Sequence, residues 1–71
     1  MGLIEISKGL WINAEAIEAI ARKNDRHCRI WTIGGGEEPY LSDYTVEELI
    51  DILEAHGVEI VPFKRQDKAQ S

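Results

Sequence analysis

The residues of this chain that could perform catalysis or bind a metal are few, and their spacing does not group them. His27 and Cys28 are adjacent and are types that act as base and nucleophile or that ligate zinc. Adjacent side chains on a strand point to opposite faces, so the pair is not expected to converge. The other histidine, His56, falls at the end of a predicted helix, and zinc would need further ligands. We expect a solvated His27, a packed Cys28, and no catalytic, cofactor or metal site.

The glycine triplet at residues 34–36 follows a predicted strand, as phosphate-binding loops do. Such loops end at a helix N-terminus, whereas Glu37, Glu38 and Pro39 here are anionic and non-helical. The triplet is therefore predicted to be a hairpin turn. Glu37, Glu38 and Asp43 are also types that act as general acid and base, but nothing in the sequence marks one of them as desolvated. We expect this protein not to be an enzyme.

Residues 45–57 form the clearest predicted element, an amphipathic helix with both ends marked. Thr45 and Glu48 have the spacing of a capping box, which satisfies backbone N–H groups at the start of a helix. Gly57, just past the last turn, suits the left-handed position that ends a helix. Apolar side chains recur along one face, namely Val46, Leu49, Ile50 and Leu53, with Ile52 beside them. So short a helix needs a partner surface, which we expect a sheet to supply.

Five short segments are alternating, β-branched or aromatic and are bounded by turn residues. These predicted strands cover residues 2–7, 10–12, 28–33, 39–42 and 58–63. Lys8 and Gly9 make a two-residue turn between the first two strands, which predicts a β-hairpin. Pro62 suits an edge or an end of a sheet, because proline has no N–H to donate to a ladder, so the last segment is predicted to be an edge strand.

Residues 13–24 admit two interpretations. Their alanine and glutamate content favours a helix, with Asn13 suited to its N-cap. Against a helix, only Ile17 and Ile20 are large and apolar, so the buried stripe would be thin. The second interpretation is one tight helical turn followed by a strand over residues 17–23. Propensity alone does not decide between them.

A set of short motifs resembles the flagellar regulatory FlbD family. The motifs are Trp11-Ile12-Asn13, Ile17-Glu18-Ala19-Ile20, Gly35-Gly36, Tyr40 and Thr45-Val46-Glu47-Glu48. Ala14 stands where that family usually has proline, and the turn at residues 34–39 is longer than the usual one. More distantly, the chain is similar to the β-rich half of LytTR DNA-binding domains. The resemblance implies a turn plus strand in the ambiguous segment, a compact β-rich fold with a C-terminal helix, and a regulatory role without catalysis.

Size and charge limit the remaining function classes. The 71 residues make one domain, predicted over residues 1–63 and followed by a disordered tail at 64–71. The net charge of −5, from 13 acidic and 8 basic residues, disfavours nucleic acid and favours a protein partner or a basic ligand. A single cysteine, no signal-peptide pattern and no membrane-spanning stretch make the cytoplasm the expected location. No small-molecule substrate is indicated.

Together these patterns predict an α+β fold, a small antiparallel sheet of four to five strands with one C-terminal amphipathic helix packed on it. If the helix covers the face that carries Cys28 and Ile30, then Trp31 and Ile33 lie on the other face, with Trp11 contributed by the first hairpin. These side chains are either the inside of a barrel-like core or an exposed interface. We expect a small non-enzymatic regulatory or adaptor protein that self-associates and contacts other proteins, with Trp11, Trp31 and Ile33 as interface candidates.

Two alternative functions belong to other classes. The LytTR similarity implies a nucleic-acid-binding transcriptional regulator, whose contacts would be Arg22, Lys23, Arg26 and Arg29, with Lys64 and Arg65 from the tail. An acidic inhibitor of the phage type would present a negative face to a basic protein, formed by Glu37, Glu38, Asp43, Glu47 and Asp51. Binding through either surface would weaken as salt rises.

Overall fold

A computed structural model describes residues 2–61 and shows a small α+β fold with five strands and one helix. The strands are β1 (Leu3–Ser7), β2 (Leu10–Asn13), β3 (Ile17–Arg22), β4 (Cys28–Thr32) and β5 (Tyr40–Ser42). A short 3₁₀ helix (Ala14–Ala16) precedes β3, and the helix α1 (Val46–Ala55) follows β5. The predicted fold class is confirmed. The predicted tail at residues 64–71 lies outside the described residues.

The five strands form two antiparallel sheets, β1–β2 and β3–β4–β5. Pairing within the first sheet slips between Glu5 and Ser7, which leaves Ile6 as a bulge. The Ile6 carbonyl accepts a hydrogen bond from the Asp43 backbone N–H (2.9 Å) and another from the Ser42 hydroxyl (2.9 Å). These bonds join β1 to the end of β5, so the spatial order of the strands is β2–β1–β5–β4–β3.

The ambiguous segment forms a turn and a strand. Asn13 caps the 3₁₀ helix, because its side-chain oxygen accepts from the Glu15 backbone N–H at 2.9 Å. The chain then enters β3, whose partner β4 supplies the ladder bonds that a helix would have made internally. Ile17 and Ile20 pack against the core from this strand. The turn-plus-strand interpretation is confirmed, and the helix interpretation is wrong.

Both predicted ends of α1 are confirmed. The Thr45 hydroxyl accepts from the Glu48 N–H (3.1 Å), and the Glu48 carboxylate accepts from the Thr45 N–H (3.0 Å), which completes the capping box. At the other end Gly57 has φ of 86°, and its N–H bonds to the carbonyl of residue 54. The Val58 N–H bonds to the Leu53 carbonyl, and these two bonds form a Schellman motif.

The predicted edge strand at residues 58–63 is not found in the described part, residues 58–61. The helix cap already uses the Val58 N–H, and the side chains of Val58 and Ile60 pack against the core instead of joining a sheet. Within residues 2–61 the structure contains no helix that is long and apolar enough to cross a membrane.

One hydrophobic core unites the two sheets and the helix. Its buried members are Ile4, Ile6, Ile12, Ala14, Cys28, Ile30, Leu49 and Leu53. Side chains alternate along β1 and β4, so that Ile4 and Ile6 on β1 and Cys28 and Ile30 on β4 point into the core, as predicted. The apolar stripe of α1 covers them. Large apolar side chains are exposed on the opposite faces of both sheets, and candidate contact surfaces lie there.

Candidate protein-contact surfaces

His27 and Cys28 do not form a reactive pair. Cys28 is fully buried in the core, and this burial raises the pKa of its thiol. His27 is half-buried, with its Nδ1 3.1 Å from Asn24 Oδ1 and its Nε2 3.8 Å from Asp43 Oδ1. Among the described residues no group of three or more histidine, cysteine or carboxylate side chains could hold a metal ion.

The glycine triplet lies in the loop between β4 and β5, which pair as a hairpin as predicted. Gly34 and Gly36 have φ of 80° and 89°, a conformation that side chains other than glycine rarely adopt. The Trp31 indole N–H donates to the Glu37 carbonyl at 3.2 Å, which holds the loop over the sheet. The triplet therefore allows the chain to reverse direction between β4 and β5.

The outer face of the β1–β2 hairpin carries two large exposed apolar side chains. Trp11 is 55% exposed and Leu3 is 61% exposed. Trp11 pairs with Glu5 and Leu3 pairs with Asn13, so Trp11 and Leu3 are diagonal neighbours across the two strands. We call these three residues, Leu3, Glu5 and Trp11, the hairpin face. Leu3 was not among the predicted interface residues, although its alternation with Ile4 already placed it on the outer side.

The three predicted interface residues lie on two different sheets. Trp11 belongs to β2, whereas Trp31 belongs to β4 and Ile33 follows that strand, with β1 and β5 between them. Ile33 is 69% exposed, and Trp31 is half-buried beside Ala19, its partner on β3. Because Trp11 is exposed, the alternative in which a barrel-like core encloses both tryptophans is wrong.

The basic residues of the nucleic-acid alternative do not share one face. Arg22 makes a two-point contact with Glu47 on α1, at 2.7 and 3.2 Å, and this contact raises the pKa of the guanidinium. Arg29 points to the opposite side, since its neighbours on β4, Cys28 and Ile30, are buried beneath the helix. The other two, Lys23 and Arg26, lie at and beyond the end of β3. Lys64 and Arg65 fall outside the described residues.

The acidic residues of the inhibitor alternative are also distributed. Glu47 is paired with Arg22, and the hydrogen bond from that guanidinium lowers the pKa of its carboxyl. Asp51 lies one helical turn beyond Glu47 and shares its exposed face. The other three are separate, Glu37 and Glu38 in the β4–β5 loop and Asp43 beside His27.

A groove that sequence reasoning did not predict runs along the outer edge of β3. Its volume is about 310 Å³, and apolar side chains of β3, α1 and the following segment line it. Ile17, Ile20, Ile50, Leu53, Val58, Ile60 and Val61 are its apolar lining, with Glu18, Ala19 and Glu59 at the same site. We call it the β3-edge groove. Its walls come from segments far apart in the chain, so no local pattern signals it.

Comparisons of this chain with models of protein families, with curated proteins and with solved structures find no match. The resemblance to the FlbD family and to LytTR domains therefore stays a prediction.

Proposed function

We propose that this protein is a small non-enzymatic regulatory or adaptor protein that self-associates and acts through protein contacts. The observation that carries the proposal is the hairpin face, where Trp11 and Leu3 stand exposed on a sheet whose other side is buried. Aromatic residues are enriched at the centres of protein interfaces, because they bury a large apolar area and lose few rotamers. The carboxylate of Glu5 beside Trp11 would give such an interface a polar rim.

Self-association is tested first, by the solution molar mass from light scattering at low and moderate salt. A stable multiple of the 8.0 kDa chain is the expected result. A monomer under all conditions would contradict the homo-oligomer.

The hairpin face is tested by comparing what the immobilised protein retains from an extract of its native source. The variant Trp11→Glu should lose a partner that the unchanged protein retains, because a carboxylate replaces the apolar centre of the face. Leu41→Glu is the matched control, since Leu41 is 46% exposed on the other sheet. Circular dichroism should show both variants folded. Equal retention by all three proteins would contradict the hairpin face as the contact surface.

A further inference from the structure

No strand of residues 2–61 pairs with the outer edge of β3. Within residues 2–61, β3 pairs only with β4, and a bulge at Glu18 interrupts this pairing. The Lys23 N–H bonds to the His27 carbonyl, which fixes the alternation of the ladder between Ala19 and Arg22. Ala21 and Ala19 therefore direct their backbone groups toward β4, while Ile20 and Arg22 direct theirs away from the sheet. No backbone group of residues 2–61 bonds to β3 on this side. An open edge of this kind is a template for another strand.

We propose that a second copy of this chain occupies the β3 edge, with the two β3 strands antiparallel about a two-fold axis through Ile20. The proposal rests on the self-association proposed above and names its surface and register. In this arrangement the backbone groups of Ile20 exchange hydrogen bonds with those of Ile20 in the second copy. The two three-stranded sheets then form one continuous six-stranded sheet.

The charges of β3 select this register. Glu18, the bulged residue of β3, precedes Ile20 by two residues and Arg22 follows it by two, so antiparallel pairing about Ile20 places each Glu18 beside Arg22 of the other chain. An axis through Glu18 would oppose two carboxylates, and an axis through Arg22 would oppose two guanidinium groups. Arg22 can serve a second carboxylate, because a guanidinium has five N–H donors and Glu47 engages only two of its nitrogens.

The second copy would also cover apolar side chains of the β3-edge groove. Ile20 is half-buried at this edge, and Val61, which also lines the groove, is 82% exposed. A second β3 strand would enter beside these side chains and remove their apolar surface from water. Ala19 and Ala21 are small enough to let the two backbones approach on the outer face.

The register can be tested with disulfides, because Ala19 of one chain would stand directly opposite Ala21 of the other. They would form a non-hydrogen-bonded pair, whose Cα atoms lie about 4.5 Å apart and within the range of a disulfide. Two variants, Ala19→Cys and Ala21→Cys, are made in a Cys28→Ala background. When the two are mixed and mildly oxidised, they should form a covalent dimer that holds one chain of each.

Each variant alone is the matched control, since neither position faces itself in this register, and each should remain mostly monomeric under denaturing electrophoresis. Glu18→Arg should weaken the dimer at least tenfold in light scattering, because like charges would then face each other across the axis. Cross-linking of each variant alone equal to that of the mixture would overturn the register.

The outcomes separate this inference from the proposed function. A dimer in solution whose mixed variants do not cross-link would overturn the β3 edge and leave self-association through another surface. A monomer would overturn both the edge pairing and the self-association, and the hairpin-face retention experiment would still decide whether the protein contacts a different partner. Mixed cross-linking together with a dimer that Glu18→Arg weakens is the result that supports the inference.

Discussion

The reactivity of Cys28 is set by its surroundings at the residue scale. The side chain is fully buried among the core residues of β1, β4 and α1. Burial penalises the thiolate and raises the thiol pKa, and the neighbouring Ser42 hydroxyl and the charge of Arg22 oppose that rise in part. The thiolate is the reactive form, so the fold protects this cysteine from oxidation and exchange.

The pKa shift of Cys28 predicts a loss of stability at alkaline pH. A raised pKa in the folded state means that the contribution is fully present below the unfolded thiol pKa of about 8.5 and is lost as pH rises through the folded value. Urea unfolding should show a larger drop in midpoint from neutral to alkaline pH for the unchanged protein than for Cys28→Ala. Equal drops in the two proteins would contradict the prediction.

At the scale of elements, the start of α1 illustrates how a short helix is specified locally. The capping box closes two hydrogen bonds within four residues, and Glu47 and Glu48 add negative charge to the first turn. The apolar stripe then determines which side of α1 meets the sheets, since Leu49 and Leu53 are buried while Asp51 is exposed. Capping and amphipathicity therefore act on different properties, the position of the helix start and the orientation of the helix.

Removing the cap should cost stability without changing the fold. Thr45→Ala deletes the acceptor for the Glu48 N–H and should lower the free energy of unfolding by about 1 kcal/mol. Thr45→Ser keeps a hydroxyl at the same place and should remain near the unchanged protein. Urea denaturation followed by circular dichroism measures both. A Thr45→Ala protein as stable as Thr45→Ser would show that the cap contributes little.

At the scale of the whole molecule, a single core makes the two sheets interdependent. The ladder hydrogen bonds of β1–β2 and of β3–β4–β5 lie within each sheet, and the bond from the Asp43 N–H to the Ile6 carbonyl joins the two sheets at their edges. The buried side chains of both sheets meet under α1. Ser42 adds a polar joint at the junction. Its hydroxyl donates to the Ile6 carbonyl and accepts from the Tyr44 N–H at 3.1 Å, and the residue is fully buried.

The two tryptophans allow this interdependence to be measured, because one lies in each sheet. Trp31→Phe leaves Trp11 to report on the hairpin, and Trp11→Phe leaves Trp31 to report on the three-stranded sheet. The two fluorescence transitions in urea should follow the same curve as circular dichroism of the same variant, as expected of cooperative unfolding. Fluorescence midpoints that separate from circular dichroism would show that the sheets unfold independently.

The same probes test the Ser42 joint. Ser42→Ala removes the buried hydrogen bond to the Ile6 carbonyl and the acceptor for the Tyr44 N–H. The free energy of unfolding should fall by about 1–2 kcal/mol, and both tryptophan reporters should show the same decrease. Ser7→Ala, on the outer side of β1, is the control and should have a small effect. A change confined to one reporter would contradict the role of Ser42 as a joint.

The sequence by itself determined the features whose interactions close within a few residues. The capping box at Thr45, the glycine that ends α1, the Lys8–Gly9 hairpin and the inward face of β4 are all as predicted. Local hydrogen bonding and the two-residue period of a strand are enough to specify them. The α+β fold class follows from their order along the chain.

The tertiary structure alone decided the features that depend on distant partners. Residues 13–24 resolved to turn and strand because β4 pairs with β3, and residues 58–61 make no strand because the helix cap and the core engage them. Trp11 is exposed whereas Trp31 is half-buried, and this difference depends on which residues of other segments lie beside each side chain. The β3-edge groove has walls from three separate segments, so it exists only once the chain is folded. Local patterns specify elements, and burial by distant residues determines which surfaces remain open for a partner.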